Sequence, residues 1–79
     1  MFKNRTKENL NNICGKRIAE LRTEMKISQK QLSDLMQLSG IDIDKNAIQR
    51  IECGKRFVTD IELSVFAKVF NVDYKDLLE

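Results

Sequence analysis

Apolar residues recur at helical spacing along nearly the whole chain, and the alternation typical of strands is confined to residues 41–44. Steps of three and four residues place apolar side chains on one face of a helix, where they can pack into a core. Five such stripes follow one another, formed by Leu10, Cys14, Ile18, Leu21 and Met25; by Leu32, Leu35 and Met36; by Ile48 and Ile51; by Leu63, Phe66, Ala67 and Phe70; and by Val72, Leu77 and Leu78. The pattern predicts five helices in one all-α domain.

The starts of the second to fifth helices carry local signals. Each is preceded by a Ser, Thr or Asp whose side-chain oxygen can accept from the amides of the first turn. Apolar residues flank each of these positions in the spacing of a hydrophobic staple, and Gln31 and Glu62 can complete two capping boxes. The predicted N-caps are Ser28, Asp44, Thr59 and Asp73. Residues 41–44 are therefore interpreted as the approach to the third helix rather than as a strand.

Length and composition fit one small folded domain. The chain has 79 residues, of which 42% are hydrophobic and 33% charged. No apolar run approaches the roughly 20 residues of a membrane helix, and no signal peptide is recognisable near Met1. We therefore expect no membrane association and a cytoplasmic location.

Candidate catalytic and metal chemistry is sparse. The chain has no His, which removes the commonest general base, and its two cysteines, Cys14 and Cys53, have no CxxC or other ligand spacing around them. Both are expected to behave as small buried or half-buried apolar residues. The sequence predicts no enzyme, no metal, no cofactor and no small-molecule site.

Charge is distributed unevenly along the chain, although the formal net charge is only +2. Among the charged residues, Lys and Arg dominate positions 1–30, whereas Asp and Glu outnumber Lys and Arg in the last twenty positions. Such a layout can turn a basic face toward a polyanion, and a solvated surface of mixed charge is the alternative. Residues 1–8 have no apolar stripe and are expected to form a flexible basic arm before a domain at 9–79.

The third stripe lies in "IDKNAIQRIECGKR", where long polar side chains oppose two isoleucines and Gly54 is expected to end the helix in a left-handed conformation. Together with "ISQKQLSDLM" and "ELSVFAKVFNVDYKDLL", this segment resembles the lambda-repressor-like helix-turn-helix family, the xenobiotic-response-element group of bacterial and phage regulators. The likeness runs from about Ile13 to Leu78. One departure is the connection at 37–43, which is longer than is typical of the family.

The resemblance implies a compact five-helix lambda-repressor-like domain that binds specific double-stranded DNA and regulates transcription, as a repressor. In that family the third helix, here about 45–53, lies in the major groove. The positions implied for base readout are Lys45, Asn46, Gln49 and Arg50, whose side chains can pair with guanine or adenine edges. Those implied for phosphate contacts are Gln29, Lys30, Lys55 and Arg56. A protein-interaction module on the same fold, such as an antitoxin or adaptor, is the alternative.

Two further sets of residues are assigned roles within the protein. By resemblance, Arg22 and Glu52 form an internal ion pair that holds the third helix at its angle. The fourth and fifth helices carry apolar residues expected to lie away from the core, which suggests a homodimer, at least on DNA. These possible dimer contacts are Ile61, Val65, Tyr74 and Leu78; the alternative is that the terminal helix or the 37–43 connection covers them.

Overall fold

The computed structural model describes residues 10–79, which form five helices and no strand within that range. The helices are α1 (Gly15–Glu24), α2 (Gln29–Leu38), α3 (Lys45–Glu52), α4 (Asp60–Phe70) and α5 (Tyr74–Leu78). The prediction of a five-helix all-α domain is confirmed. The expected basic arm at 1–8 and its boundary lie outside the described residues.

The predicted helix starts are confirmed at all four positions. Ser28 Oγ accepts from the Gln31 amide at 3.0 Å, and Gln31 Oε1 accepts from the Ser28 amide at 2.7 Å. Thr59 and Glu62 form the second predicted capping box, while Asp44 accepts from the Ala47 amide at 2.8 Å. These local bonds satisfy amides that have no partner within the helix.

A single core lies between the helices. Its centre consists of side chains with no more than 1% of their surface exposed: Ile18 of α1, Leu32 and Met36 of α2, Ile48 and Ile51 of α3, Phe66 of α4 and Leu77 of α5. Helices α1 and α2 both pack against α3, α4 packs against α1 and α2, and α5 packs against α1 and α4. The core therefore fixes α3 through its two isoleucines and leaves the opposite side of that helix outward.

The first helix is shorter than the stripe predicted. It begins at Gly15, and Leu10 and Met25, the two ends of that stripe, are 37% and 44% exposed. Residues 10–14 instead run along the end of α3, where the Asn11 amide donates to the Gly54 carbonyl at 2.7 Å. Long-range hydrogen bonds, which leave no periodic signal, determine this segment.

Gly15 allows the start of α1 to approach α3 closely. A Cβ atom at this position would overlap the backbone carbonyl oxygen of Ile51. A larger residue would therefore have to push α1 away from the end of α3. The close approach of α1 to the end of α3 therefore requires glycine at this position.

The long connection between α2 and α3 is tied to the domain at several points. Gln37 Nε2 donates to the Ile43 carbonyl at 3.0 Å, and the Ile41 amide donates to the Met36 carbonyl at 2.9 Å. Ile43 is only 4% exposed, while Gly40 adopts a φ of 93° that favours glycine. The extra residues thus form a turn anchored next to the first residue of α3.

Two expectations about exposure were wrong. Val65 is 9% exposed and belongs to the core, because α4 packs against α1, α2 and α5 and so buries a wider arc than one stripe. Cys53, expected to be at least half buried, is exposed. It follows Ile51 by two positions, about 200° around the helix, and therefore points away from the core.

Candidate nucleic-acid interface

The outward side of α3 carries the four side chains that the sequence singled out. Lys45, Asn46, Gln49 and Arg50 are all exposed, whereas Ile48 and Ile51 on the opposite side are fully buried. Residues at i, i+1, i+4 and i+5 of a helix share one broad face, so these four side chains lie next to one another. The helix therefore presents a continuous surface of hydrogen-bonding groups.

The end of α3 is formed by a left-handed glycine, as predicted. Gly54 has a φ of 77°, and the Lys55 amide donates back to the Arg50 carbonyl at 2.8 Å. This turn leaves the Lys55 side chain exposed directly after the helix. On the preceding turn, Gln49 Nε2 lies 3.6 Å from Cys53 Sγ, a weak hydrogen bond along the surface of the helix.

A carboxylate at the end of α3 connects three helices. Glu52 Oε2 accepts from Arg22 Nε at 2.7 Å, and Glu52 Oε1 accepts from Arg22 Nη2 at 3.2 Å. Gln29 Nε2 at the start of α2 donates to the same Oε1 at 3.1 Å. Arg22 also donates to the Ile27 carbonyl at 2.9 Å, so the group ties α1, α2 and α3 together behind the outward face.

The side chains of Gln29 and Arg56, both implied as phosphate contacts, are held within the protein. Gln29 donates to Glu52, while Arg56 makes two 2.9 Å hydrogen bonds to the Glu62 carboxylate. Hydrogen bonding to Arg56 lowers the pKa of Glu62, and the same contact raises the pKa of Arg56. Lys30 is exposed and pairs with Asp34 one turn along α2.

Sequence reasoning missed two asparagines that hold the exit of α3. Asn11 Nδ2 donates to the Lys55 carbonyl at 2.9 Å, and Asn12 Nδ2 donates to the carbonyls of Ile51 at 3.1 Å and Arg56 at 2.7 Å. Asn12 Oδ1 accepts from the Gly15 amide at 2.8 Å and so also begins α1. The bonds to the exit of α3 span 39 to 44 residues, and no local motif marks them.

The possible dimer contacts divide into two groups. Ile61, Tyr74 and Leu78 are 66%, 53% and 42% exposed. Val65 offers almost no surface, as described above. The exposed apolar side chains of α4 and α5 are therefore three rather than four.

Comparison with known proteins identifies the family of this chain. The helix-turn-helix family model HTH_3 matches residues 18–77. The chain belongs to this family. As a helix-turn-helix protein of the Cro/C1 type, it is a DNA-binding regulator of transcription. The family and the fold are those of DNA-binding regulators rather than of enzymes.

A solved structure supports the assignment. The helix-turn-helix chain is similar to the restriction-modification controller protein C.AhdI from Aeromonas hydrophila, with 30% sequence identity and a TM-score of 0.67. The similarity covers 80% of this chain and 84% of that protein. Among curated proteins no match is found. Within residues 10–79, no helix has the length and apolar character needed to cross a membrane.

Proposed function

We propose that the protein binds specific double-stranded DNA by inserting α3 into the major groove, and that it represses transcription from the bound site. The observation that carries this proposal is the outward face of α3. Four long polar side chains are exposed there, and two buried isoleucines fix the helix behind them. An α-helix fits the major groove of B-DNA, where each base pair presents a distinct set of donors and acceptors.

Base readout is assigned to Lys45, Asn46, Gln49 and Arg50 according to their chemistry. Arg50 and Lys45 can donate to O6 and N7 of guanine, and Asn46 and Gln49 can pair with N6 and N7 of adenine. The Gln49–Cys53 contact supports a defined orientation of the Gln49 amide. Lys45 and Asn46 lie in the first turn of α3, the part of a recognition helix that typically reaches base edges.

Phosphate contacts are assigned first to Lys55, which follows α3, and to Lys30 in the first turn of α2; both are exposed. The amides in the first turn of α2 add a site that favours an anion. The bonds to Glu52 and Glu62 orient Gln29 and Arg56, and each side chain keeps N–H donors outside those bonds. We therefore propose that both act mainly by holding the surface in shape, with the Arg22–Glu52 pair fixing the angle of α3.

A two-fold dimer on DNA is the expected assembly. One short helix reads few base pairs, and two copies about 34–36 Å apart would enter successive major grooves on one side of the duplex. Ile61, Tyr74 and Leu78 supply the exposed apolar surface for this contact. The likeness to a restriction-modification controller makes promoters of such gene systems the first natural targets to test.

Selection of bound duplexes from a random pool tests the proposal. We expect wild type to enrich a pseudo-palindrome whose half-sites are about one helical turn apart. Arg50→Ala should bind that site about 1–3 kcal/mol more weakly and lose preference at one base position. Lys55→Ala is the control for charge alone, because loss of a phosphate contact weakens all duplexes alike.

The salt dependence of duplex binding separates DNA binding from the alternative of a protein-interaction module. Affinity for random duplex should fall steeply with salt, with a log–log slope near −0.9 for each phosphate neutralised. Negligible binding at low salt would favour the interaction module. An unchanged consensus with Arg50→Ala would remove Arg50 from the reading surface.

A further inference from the structure

We propose that Asn11 is a positioning residue for DNA binding, because it orients the turn from which Lys55 contacts phosphate. The turn consists of residues 54–57, directly after α3. The inference rests on the phosphate contact that the proposed function assigns to Lys55, and Asn11 itself needs no contact with DNA. It arises from hydrogen bonds that join this turn to the segment before α1.

Three successive carbonyl groups of the turn accept from that segment. The Asn11 amide donates to the Gly54 carbonyl at 2.7 Å, and Asn11 Nδ2 donates to the Lys55 carbonyl at 2.9 Å. Asn12 Nδ2 donates to the Arg56 carbonyl at 2.7 Å. The backbone of the turn is therefore held in one orientation relative to the domain.

Asn12 fixes the segment that carries Asn11. Its Nδ2 group donates to the Ile51 carbonyl at 3.1 Å as well as to Arg56, so both of its N–H groups are used. Its Oδ1 accepts from the Gly15 amide at 2.8 Å, at the start of α1. The Asn12 side chain is therefore bonded to α1, to α3 and to the turn, and it holds Asn11 next to the Lys55 peptide group.

This arrangement favours a phosphate contact by Lys55 in two ways. A carbonyl oxygen is the negative end of a peptide dipole and disfavours a nearby phosphate, and the Lys55 carbonyl is bonded to Asn11 instead of being free beside the exposed Lys55 side chain. An ordered turn also loses less conformational freedom when DNA binds, which raises affinity. Removing the Asn11 side chain should therefore weaken the contact that Lys55 makes.

A double-mutant cycle on binding to random-sequence duplex DNA separates positioning from general stability. Asn11→Ala removes the bond to the Lys55 carbonyl but leaves the backbone bond to Gly54 and every bond of Asn12, so the domain should stay folded, which circular dichroism would check. We would measure affinity over a range of salt concentrations for wild type, Asn11→Ala, Lys55→Gln and the combined variant.

A second cycle, with Lys30→Gln in place of Lys55→Gln, is the matched control. Lys30 is also exposed and assigned to phosphate, but it belongs to the first turn of α2, where it pairs with Asp34. Both lysine variants remove one positive charge, so the two cycles differ in the position of that charge. Asn11→Ala changes no charge and should alter the salt dependence only through Lys55.

Lys55→Gln should make the log–log slope of affinity against salt less steep by about 0.9, the value for one phosphate. Asn11→Ala should weaken binding about two- to fivefold, which corresponds to one hydrogen bond, and should shift the slope in the same direction. In the Lys55→Gln background Asn11→Ala should have no further effect. In the Lys30→Gln background its full fold-loss should remain.

The same fold-loss from Asn11→Ala with and without Lys55→Gln, or an unchanged salt slope in Asn11→Ala, would overturn the inference while leaving the reading role of α3 intact. If Lys55→Gln binds duplex DNA as tightly as wild type, the phosphate assignment of Lys55 fails and the inference fails with it. If wild type does not bind duplex DNA at any salt concentration, the proposed function fails as well.

Discussion

The Arg22–Glu52 pair offers a sharp test of how the domain holds α3. Glu52→Gln keeps the size and shape of the side chain but removes its charge, and the new amide nitrogen faces the Arg22 guanidinium, which can only donate. Two hydrogen bonds from Arg22, at 2.7 and 3.2 Å, depend on that carboxylate, and Gln29 supplies a third at 3.1 Å. The substitution thus disrupts one site shared by three helices.

The expected cost follows from burial. The side chains of Arg22 and Glu52 are 19% and 8% exposed, so the pair is largely removed from water. Breaking a buried pair by removing one partner costs about 3–5 kcal/mol. Arg22 retains its bond to the Ile27 carbonyl and some contact with solvent, which lowers the expected loss to about 2–3 kcal/mol. For a domain of this size that corresponds to a fall in Tm of about 10–20 °C.

Urea denaturation followed by far-UV circular dichroism measures the loss as a difference in free energy of unfolding. Glu24→Gln is the matched control, because it makes the same chemical change in the Arg17–Glu24 pair. The two charged groups of that pair lie 4.0 Å apart, and the Glu24 side chain is 67% exposed. We expect the control to stay within about 0.5 kcal/mol of wild type. A loss below about 0.5 kcal/mol for Glu52→Gln would refute the structural role of the pair.

Three further predictions use other parts of the fold. Arg56 holds the pKa of Glu62 below its usual 4.5, so the stability gained from Glu62 is complete above pH 4.5 and is lost as the pH falls through the lowered pKa. Glu62→Gln should therefore lower the free energy of unfolding at pH 7, and its difference from wild type should become smaller in acid. A difference that does not change with pH would count against this linkage. Burial raises the pKa of Cys14 whereas Cys53 is exposed, so a thiol reagent should modify Cys53 quickly and Cys14 only on unfolding, as Cys53→Ala would reveal by abolishing the fast phase. Ile61→Lys should weaken the dimer in sedimentation, with and without operator DNA, whereas Leu38→Lys, which puts the same charge at an 85% exposed apolar residue at the end of α2, should leave protein–protein association unchanged; equal assembly of wild type and Ile61→Lys would exclude this surface.

Local chemistry explains which parts of the fold were predictable. Ser28, Asp44, Thr59 and Asp73 were correctly predicted as N-caps because each signal lies within four residues of the amides it satisfies. The left-handed Gly54 was likewise predictable from its position after an apolar stripe. Helix starts and stops therefore required no tertiary information.

The missed features depend on residues far apart in the chain. Asn11 and Asn12 form hydrogen bonds across 39 to 44 residues. Because of these bonds, the segment predicted as the first turns of α1 lies instead against the end of α3. The pairing of Arg56 with Glu62 gives a supposed phosphate contact a partner within the protein. Val65 was misjudged because one apolar stripe does not reveal how many helices surround α4.

Methylation interference on the selected operator tests the central claim most directly. Dimethyl sulfate modifies N7 of guanine in the major groove and N3 of adenine in the minor groove, so the two grooves are probed on the same duplex. If α3 reads the major groove, methylation of guanine N7 within each half-site should block binding by wild type, and Arg50→Ala should lose this sensitivity at one guanine. Interference confined to adenine N3, or unchanged by substitution of Lys45, Asn46, Gln49 and Arg50, would contradict the docking of α3 in the major groove.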